Sequence, residues 1–271
     1  MPWSKLKNII ILILLLTNLC LLGLVTGQSV QKSRQRNETR ESAMSFLMDR
    51  GVEVDEAIIP KTIDLLPQTV ERDLEGEKAA AVALLKGDVK TEAKGGETYL
   101  YTNEHGMVQF QSDGTFSAQL ESGVYPIGEN RQESCNAALE AIGFCGTLLK
   151  ETEEGLVFRQ TWKGTELFSQ QVTVSCSEDS VIAFTGGQRL IGTPQADPTR
   201  QTITVPTALV SFLNGVSALG DVCGRIDKIQ EGYVCSVSLS GAMSMTPVWM
   251  VTTDTGVYQM DTVTGEVKRA D

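Results

Sequence analysis

Apolar residues are not spread evenly along the chain. From Asn8 to Gly27 there is no charge, and isoleucine and leucine dominate. At about 1.5 Å of rise per helical residue the run spans roughly 30 Å, the thickness of a hydrocarbon core. Export signals carry a shorter apolar region, of about 7–15 residues. The expected arrangement is a cytoplasmic tail at 1–7, an uncleaved single-pass anchor at 8–27, and a juxtamembrane linker at 28–41, QSVQKSRQRNETRE. Val25-Thr26-Gly27 keeps a cleaved signal open as the alternative, with Val25 and Gly27 in the small-residue places. Nothing after Gly27 approaches about 18 uninterrupted apolar residues.

Past the linker the periodicity changes repeatedly. SAMSFLMDRG places Ala43, Phe46, Leu47 and Arg50 at helical spacing, with Gly51 as a stop. VEVDEAII alternates and predicts a strand closed by Pro60. ERDLEGEKAAAVALLKG predicts a second helix. ETYLYTNEHGMVQFQSDGTFSAQLESG predicts three short strands, with turns at 103–106 and 112–114.

The remaining chain resembles itself. At one offset of 77 residues Gly155 falls on Gly232, Gly164 on Gly241, Val157 on Val234 and Val174 on Val251. An apolar helical stretch precedes each copy, SCNAALEAIGFCG and PTALVSFLNGVSALG. Each copy reads as one helix followed by a four-stranded antiparallel meander, the helix covering one face of the sheet. The fold class expected is α+β: the anchor, a membrane-proximal domain at 42–128, and repeat units at 129–193 and 199–271. The connector is TPQADP, from Pro194 to Pro198. The final hairpin, VWMVTTDTGVYQMDTVTG, turns at Asp254-Thr255-Gly256, with Trp249, Val251 and Thr253 on one face.

Charge sharpens this division. The whole chain carries −11, yet residues 1–40 set Lys5, Lys7, Lys32, Arg34, Arg36 and Arg40 against Glu38 alone. An acidic body behind a basic stalk argues against nucleic acid, which needs a basic footprint, and fits a stalk lying at anionic headgroups. The positive charges flank the apolar run on both sides, so orientation rests on the short tail and the large body behind it, which favour an extracellular ectodomain. Asn37-Glu38-Thr39 matches a glycosylation sequon.

Candidate chemistry is sparse. Five cysteines lie outside the apolar run, Cys135, Cys145, Cys176, Cys223 and Cys235, with no C-x-x-C and no zinc spacing. A Cys223–Cys235 bridge is one option. The single histidine, His105, falls in a turn. No phosphate loop, dinucleotide fingerprint, H-E-x-x-H or G-x-S-x-G motif is present. Acidic runs such as Glu151-Thr152-Glu153-Glu154 read as solvated surface. No enzyme, cofactor or metal is therefore expected. A wall-polymer hydrolase built from two distant carboxylates stays formally open.

The leader carries the remaining signal. Lipid gives helices no hydrophobic reason to associate, so small residues and buried polar groups supply it. Gly23-Leu-Val-Thr-Gly27 is a G-x-x-x-G, and Asn18 is an amide near mid-membrane. Ile11, Leu15, Asn18 and Leu22 share one helical stripe. MPWSKLKNIIILILLLTNLCLL resembles the start of the YycI family of bacterial accessory proteins: Trp3-Ser4-Lys5 with Lys7, then an isoleucine-rich anchor with Thr17-Asn18. The PVWMVTTDTGVYQMDTVTGEV ending resembles that family too, and is similar to the PepSY type of small α+β module. Pro2 departs from the acidic residue expected of the family, and the middle of the chain carries no recognisable letters.

The resemblance implies a non-enzymatic membrane regulator. It would contact a sensor histidine kinase of the WalK/YycG type through transmembrane helices, beside a YycH-like paralogue, and adjust cell-wall metabolism. The expected contact residues are Asn18, Gly23 and Gly27 with Ile11, Leu15 and Leu22. The rival expectation is a PepSY-like extracytoplasmic module that binds and inhibits a peptidase or another wall-associated partner.

Overall fold

The computed structural model describes Leu14, Thr17, Asn18 and residues 41–42, 44–238 and 241–270. Within them the fold is mixed α+β and dominated by sheet. After a helical segment at 44–49 come two short strands, β1 (Glu53–Val54) and β2 (Gln68–Val70). The chain then runs three times through a helix and four antiparallel strands. The first pass is α1 (Leu74–Leu84) with β3 (Lys90–Gly95), β4 (Thr98–Asn103), β5 (Gly106–Phe110) and β6 (Thr115–Leu120). The second is α2 (Arg131–Ala141) with β7 (Gly146–Thr152), β8 (Gly155–Trp162), β9 (Thr165–Cys176) and β10 (Val181–Gln188). After β11 (Pro194–Ala196) the third is α3 (Val205–Ala218) with β12 (Arg225–Val237), β13 (Met243–Thr253), β14 (Gly256–Asp261) and β15 (Val267–Arg269).

Helices α1, α2 and α3 each begin where a short polar side chain can satisfy the free N–H groups of the first turn. Asp73 accepts from Gly76 N, Asn130 from Gln132 N and Glu133 N, and Thr204 from Thr207 N. In α3 the buried residues Val205, Ala208, Leu209, Phe212, Leu213 and Val216 form one continuous stripe.

The first two meanders are one sheet. β6 and β10, the last strand of each, pair antiparallel with Phe184 opposite Ala118 and Gly187 opposite Phe116. Eight strands result, ordered β3-β4-β5-β6-β10-β9-β8-β7. α1 and α2 touch each other above this sheet and close a common core containing Leu84, Phe110, Phe116, Leu139, Phe144, Phe158 and Phe184.

The third meander is the centre of a second sheet. β1 joins β12 in parallel, β2 joins β13 antiparallel, and β11 lies outermost on β2. The two sheets meet where β12 runs parallel to β9, with Tyr233 opposite Leu167. The third core holds Met44, Leu47 and Val52 together with α3, Trp249, Val251, Tyr258 and Met260. Val70, Leu167, Leu190, Ile191, Tyr233, Met243 and Met245 form a smaller cluster.

Several sequence expectations change here. The helix-and-meander unit occurs three times, because residues 90–95 form a fourth strand in the first unit. All six residues of β3 are exposed, so this charged edge strand has no apolar alternation to reveal it. The expected 42–128 domain divides: its first residues belong to the core of the C-terminal unit. Of the expected strand at 52–59 Glu53–Val54 alone pairs as a strand, because Asp55 Oδ1 accepts from Ala57 N at 2.8 Å and starts a 3-10 turn at Glu56–Ile58. TPQADP is no free connector, since Pro194–Ala196 pairs with β2. The offset of 77 aligns β8, a second strand, with part of β12, a first strand. What it matched at Gly164 and Gly241 is turn chemistry, both glycines having left-handed backbones, φ 80° and 85°.

Candidate functional site

Where the first two units meet the segment after β10, a cleft of about 450 Å³ opens. Its walls come from distant parts of the chain. Asp73, Gly76 and Glu77 belong to the start of α1, and Gly143 and Cys145 to the turn after α2. Trp162, Lys163 and Gly164 form the β8–β9 hairpin, and residues 189–194 lead out of β10.

Buried polar groups hold these walls together. Gln160 is almost fully buried; its Oε1 accepts from Leu190 N at 3.0 Å and its Nε2 donates to Gly143 O at 3.3 Å. Asp73 N donates to Ile191 O at 2.9 Å, so the segment after β10 is tied to the start of α1. Gly192 permits this crossing: a Cβ there would stand 2.1 Å from Glu71 O. Arg189 N donates to Gly114 O at 2.9 Å, joining the same segment to the β5–β6 turn.

The electrostatics are uneven. Glu77 is 2% exposed, and both its oxygens accept from Arg72, Nε and Nη2 each at 2.9 Å. That is the bidentate arrangement which makes a buried carboxylate tolerable. Asp73 Oδ1 is taken by Gly76 N at 2.8 Å. Arg189 has no such partner. Its guanidinium carbon lies 4.7 Å from the centre of the Phe110 ring, and Nε and Nη1 are sealed from solvent without a hydrogen bond. Burial pulls its pKa below the ordinary arginine value, and Glu77 and Asp73 pull the other way. Lys163 places its ammonium 4.5 Å from the centre of the Trp162 ring, which stands edge-on to Tyr233.

Of the contact residues expected from sequence, Asn18 alone falls among the described residues. Asn18 is helical and exposed, as is Leu14. Ile11, Leu15, Leu22, Gly23 and Gly27 lie outside the described residues. Among the described residues no helix is long and apolar enough to cross a membrane.

His105 caps a helix. Its Nδ1 is 2.7 Å from Leu85 O, just past α1, and Asn103 Nδ2 donates to the same oxygen at 3.0 Å. A proton on Nδ1 suits that contact. Trp249 is buried and donates Nε1–H to Glu231 Oε1 at 3.1 Å.

Cys223 and Cys235 cannot bridge. Twelve residues of nearly extended chain separate them, roughly 40 Å at strand rise, against the 4.4–6.8 Å between Cα atoms that a disulfide requires. The close thiols are instead those of Cys135 on α2 and Cys176 at the end of β9, 3.4 Å apart. Burial, then the Cys176 contact, pushes the Cys135 thiol up to about 12. Among the described residues no group of three or more His, Cys, Asp or Glu could hold a metal ion.

Sequence reasoning missed Arg189. The only local sign is an arginine set between strand β10 and Leu190-Ile191, where a charged side chain has little room to leave the core.

No family model and no curated protein matches the chain. Among solved structures it is similar to an uncharacterized protein from Eubacterium rectale ATCC 33656, with 9% identity over 82% of this chain and 91% of that one and a TM-score of 0.40. It is also similar to the Bacillus megaterium YpeB C-terminal domain, with 12% identity over 74% of this chain and 99% of that domain and a TM-score of 0.37.

Proposed function

We propose that the protein is a non-enzymatic regulator, an extracytoplasmic body held at the membrane by its apolar leader. The observation that carries this reading is the way the amino-terminal side enters the body. Met44, Leu47 and Val52 are buried with α3 and Trp249, and β1 extends the sheet beside β12. Close-packed interiors transmit displacement, so movement of residues 44–54 reaches the C-terminal core directly. That suits a protein whose body and leader act as one device.

By the leader's resemblance to YycI-like proteins, the partner is a sensor kinase of the WalK/YycG type, together with a YycH-like paralogue. The contact stripe is Ile11, Leu15, Asn18 and Leu22, with Gly23 and Gly27. A kinase whose two helix arrangements differ by a few kcal/mol is biased by one such contact. The test is recovery of the kinase from solubilised membranes with the wild type and with Asn18→Leu. An interhelical amide bond contributes about 0.6–2 kcal/mol, so the variant should recover severalfold less kinase. Equal recovery removes Asn18 from the contact, and no kinase with the wild type removes the partner.

The cleft favours a second reading, a PepSY-like extracytoplasmic module that binds a peptidase or a wall-associated partner through the body alone. It requires that residues 41–271 remain fully active without the anchor.

A further inference from the structure

Among the described residues, Cys135 and Cys176 bring two free thiols together, 3.4 Å apart across 41 residues of chain. Cys135 lies on the second turn of α2 and is fully buried. Cys176 is the last residue of β9, half-buried and packed against the same core. Helix and strand hold the two backbones, so the approach is built by the fold. A disulfide holds its sulfurs about 2.05 Å apart, so the gap to close is about 1.4 Å, a distance that side-chain rotation spans. Arg131 stands one turn before Cys135 on α2 and pairs with Glu151 at 3.3 Å. Its contact with Cys176 raises the arginine's own pKa. A cation beside a cysteine favours the thiolate, the form that attacks a disulfide.

We propose that Cys135 and Cys176 form a disulfide that pins the start of α2 to the end of β9. The bond forms by exchange with a small-molecule disulfide such as oxidised glutathione. Cys176, the accessible partner, attacks one glutathione sulfur as its thiolate and releases one glutathione thiolate. Cys135, having given its proton to solvent, then attacks Cys176 Sγ and releases the second. Two electrons pass from the cysteine thiols to the reagent, whose two thiolates take up two protons. Burial pushes the Cys135 thiol up to about 12, so closure is slow in the folded protein and belongs to folding. The same property makes Cys135 a poor leaving group once the bond exists. Disulfides persist outside the cytoplasm, which suits an extracytoplasmic body, and the bond holds whether or not the leader touches a kinase. Two cysteines serving only as small buried hydrophobes would stay reduced under the same conditions.

The experiment unfolds the full chain in urea and refolds it in detergent, in a buffer of reduced and oxidised glutathione or in dithiothreitol. A second sample stays folded in the glutathione buffer for days and covers a failure to refold. After acid quenching and alkylation, peptide mapping should recover Cys135 joined to Cys176. A cross-link spanning 41 residues should raise the melting temperature by about 10 °C over the dithiothreitol sample. Dithiothreitol should open the bond about tenfold or more slowly in the folded protein than in urea. Cys176→Ser, at the half-buried end, should lose the link and melt like the reduced wild type in both buffers. Cys135→Ala should also lose the oxidation shift, and Cys176→Ser decides the matter if the alanine variant does not fold. The proposal is overturned if the joined peptide is absent from both glutathione samples, if oxidation leaves the melting temperature unchanged or lowers it, if Cys176→Ser keeps the shift, or if dithiothreitol opens the bond equally fast in folded and unfolded protein.

Discussion

The first two helix-and-meander units and the third solve one problem differently. A unit of about 60 residues buries too little surface to be secure alone. Units one and two recruit each other, through the β6–β10 pairing and the contact of α1 with α2. The third unit recruits the amino-terminal side: the helical residues 44–49 pack into its core, and β1 and β2 pair with β12 and β13. The first two units thus close on each other, and the third closes on the segment from Met44 to Val70.

The shared core is the easiest part of this comparison to break. Phe116 lies 6.2–6.3 Å from Phe110, Phe144 and Phe184, ring centre to ring centre. It therefore joins β5 and β6 of unit one to unit two. Phe116→Ala should destabilise by about 3–5 kcal/mol. Hydrogen exchange should show lost protection from β3 through β10, with β13 and β14 spared. Loss confined to β3–β6 would mean that the two units do not share a core.

Leu47→Ala probes the other arrangement. Leu47 is fully buried with Met44, α3 and Tyr258. Its truncation should remove about 2–5 kcal/mol and loosen α3, β13 and β14 while β3–β10 stay protected. Unchanged exchange in α3 would detach the amino-terminal segment from the third unit and take the proposed coupling with it.

Much of the third unit is legible in sequence. The stripe from Val205 to Val216 follows helical spacing, and Trp249, Val251 and Thr253 alternate inward on β13. Those patterns are local. What stays hidden depends on pairing between distant segments. The exposed strand β3 exists because β4 is beside it. The segment 44–54 declares a helix but not the unit it serves. Arg189 and Asp73 are far apart in sequence, and neither shows by itself that β10 will deliver a guanidinium against the ring of Phe110. The cleft is a product of four distant segments, the start of α1, the turn after α2, the β8–β9 hairpin and residues 189–194, which no periodicity brings together.

The smallest expected effect separates the regions by two acids, buried Glu77 and half-buried Glu231. In the fused sheet Glu77 is gripped by two hydrogen bonds from Arg72. In the third unit Glu231 has only the Trp249 indole. Burial raises the Glu231 pKa above its ordinary 4.5; the indole hydrogen bond lowers it and Asp64 raises it further. A carboxyl raised in the folded state stabilises fully below the unfolded value. That contribution is lost as pH rises through the folded one, because ionisation is then easier in the unfolded chain. Glu231→Gln stays neutral and still accepts from Trp249 Nε1. Its melting temperature should match the wild type at acidic pH, then exceed it increasingly as pH rises from 4.5 toward neutrality, where the gap levels off. A pH-independent gap would show that burial of the charge is not what the third unit carries at Glu231.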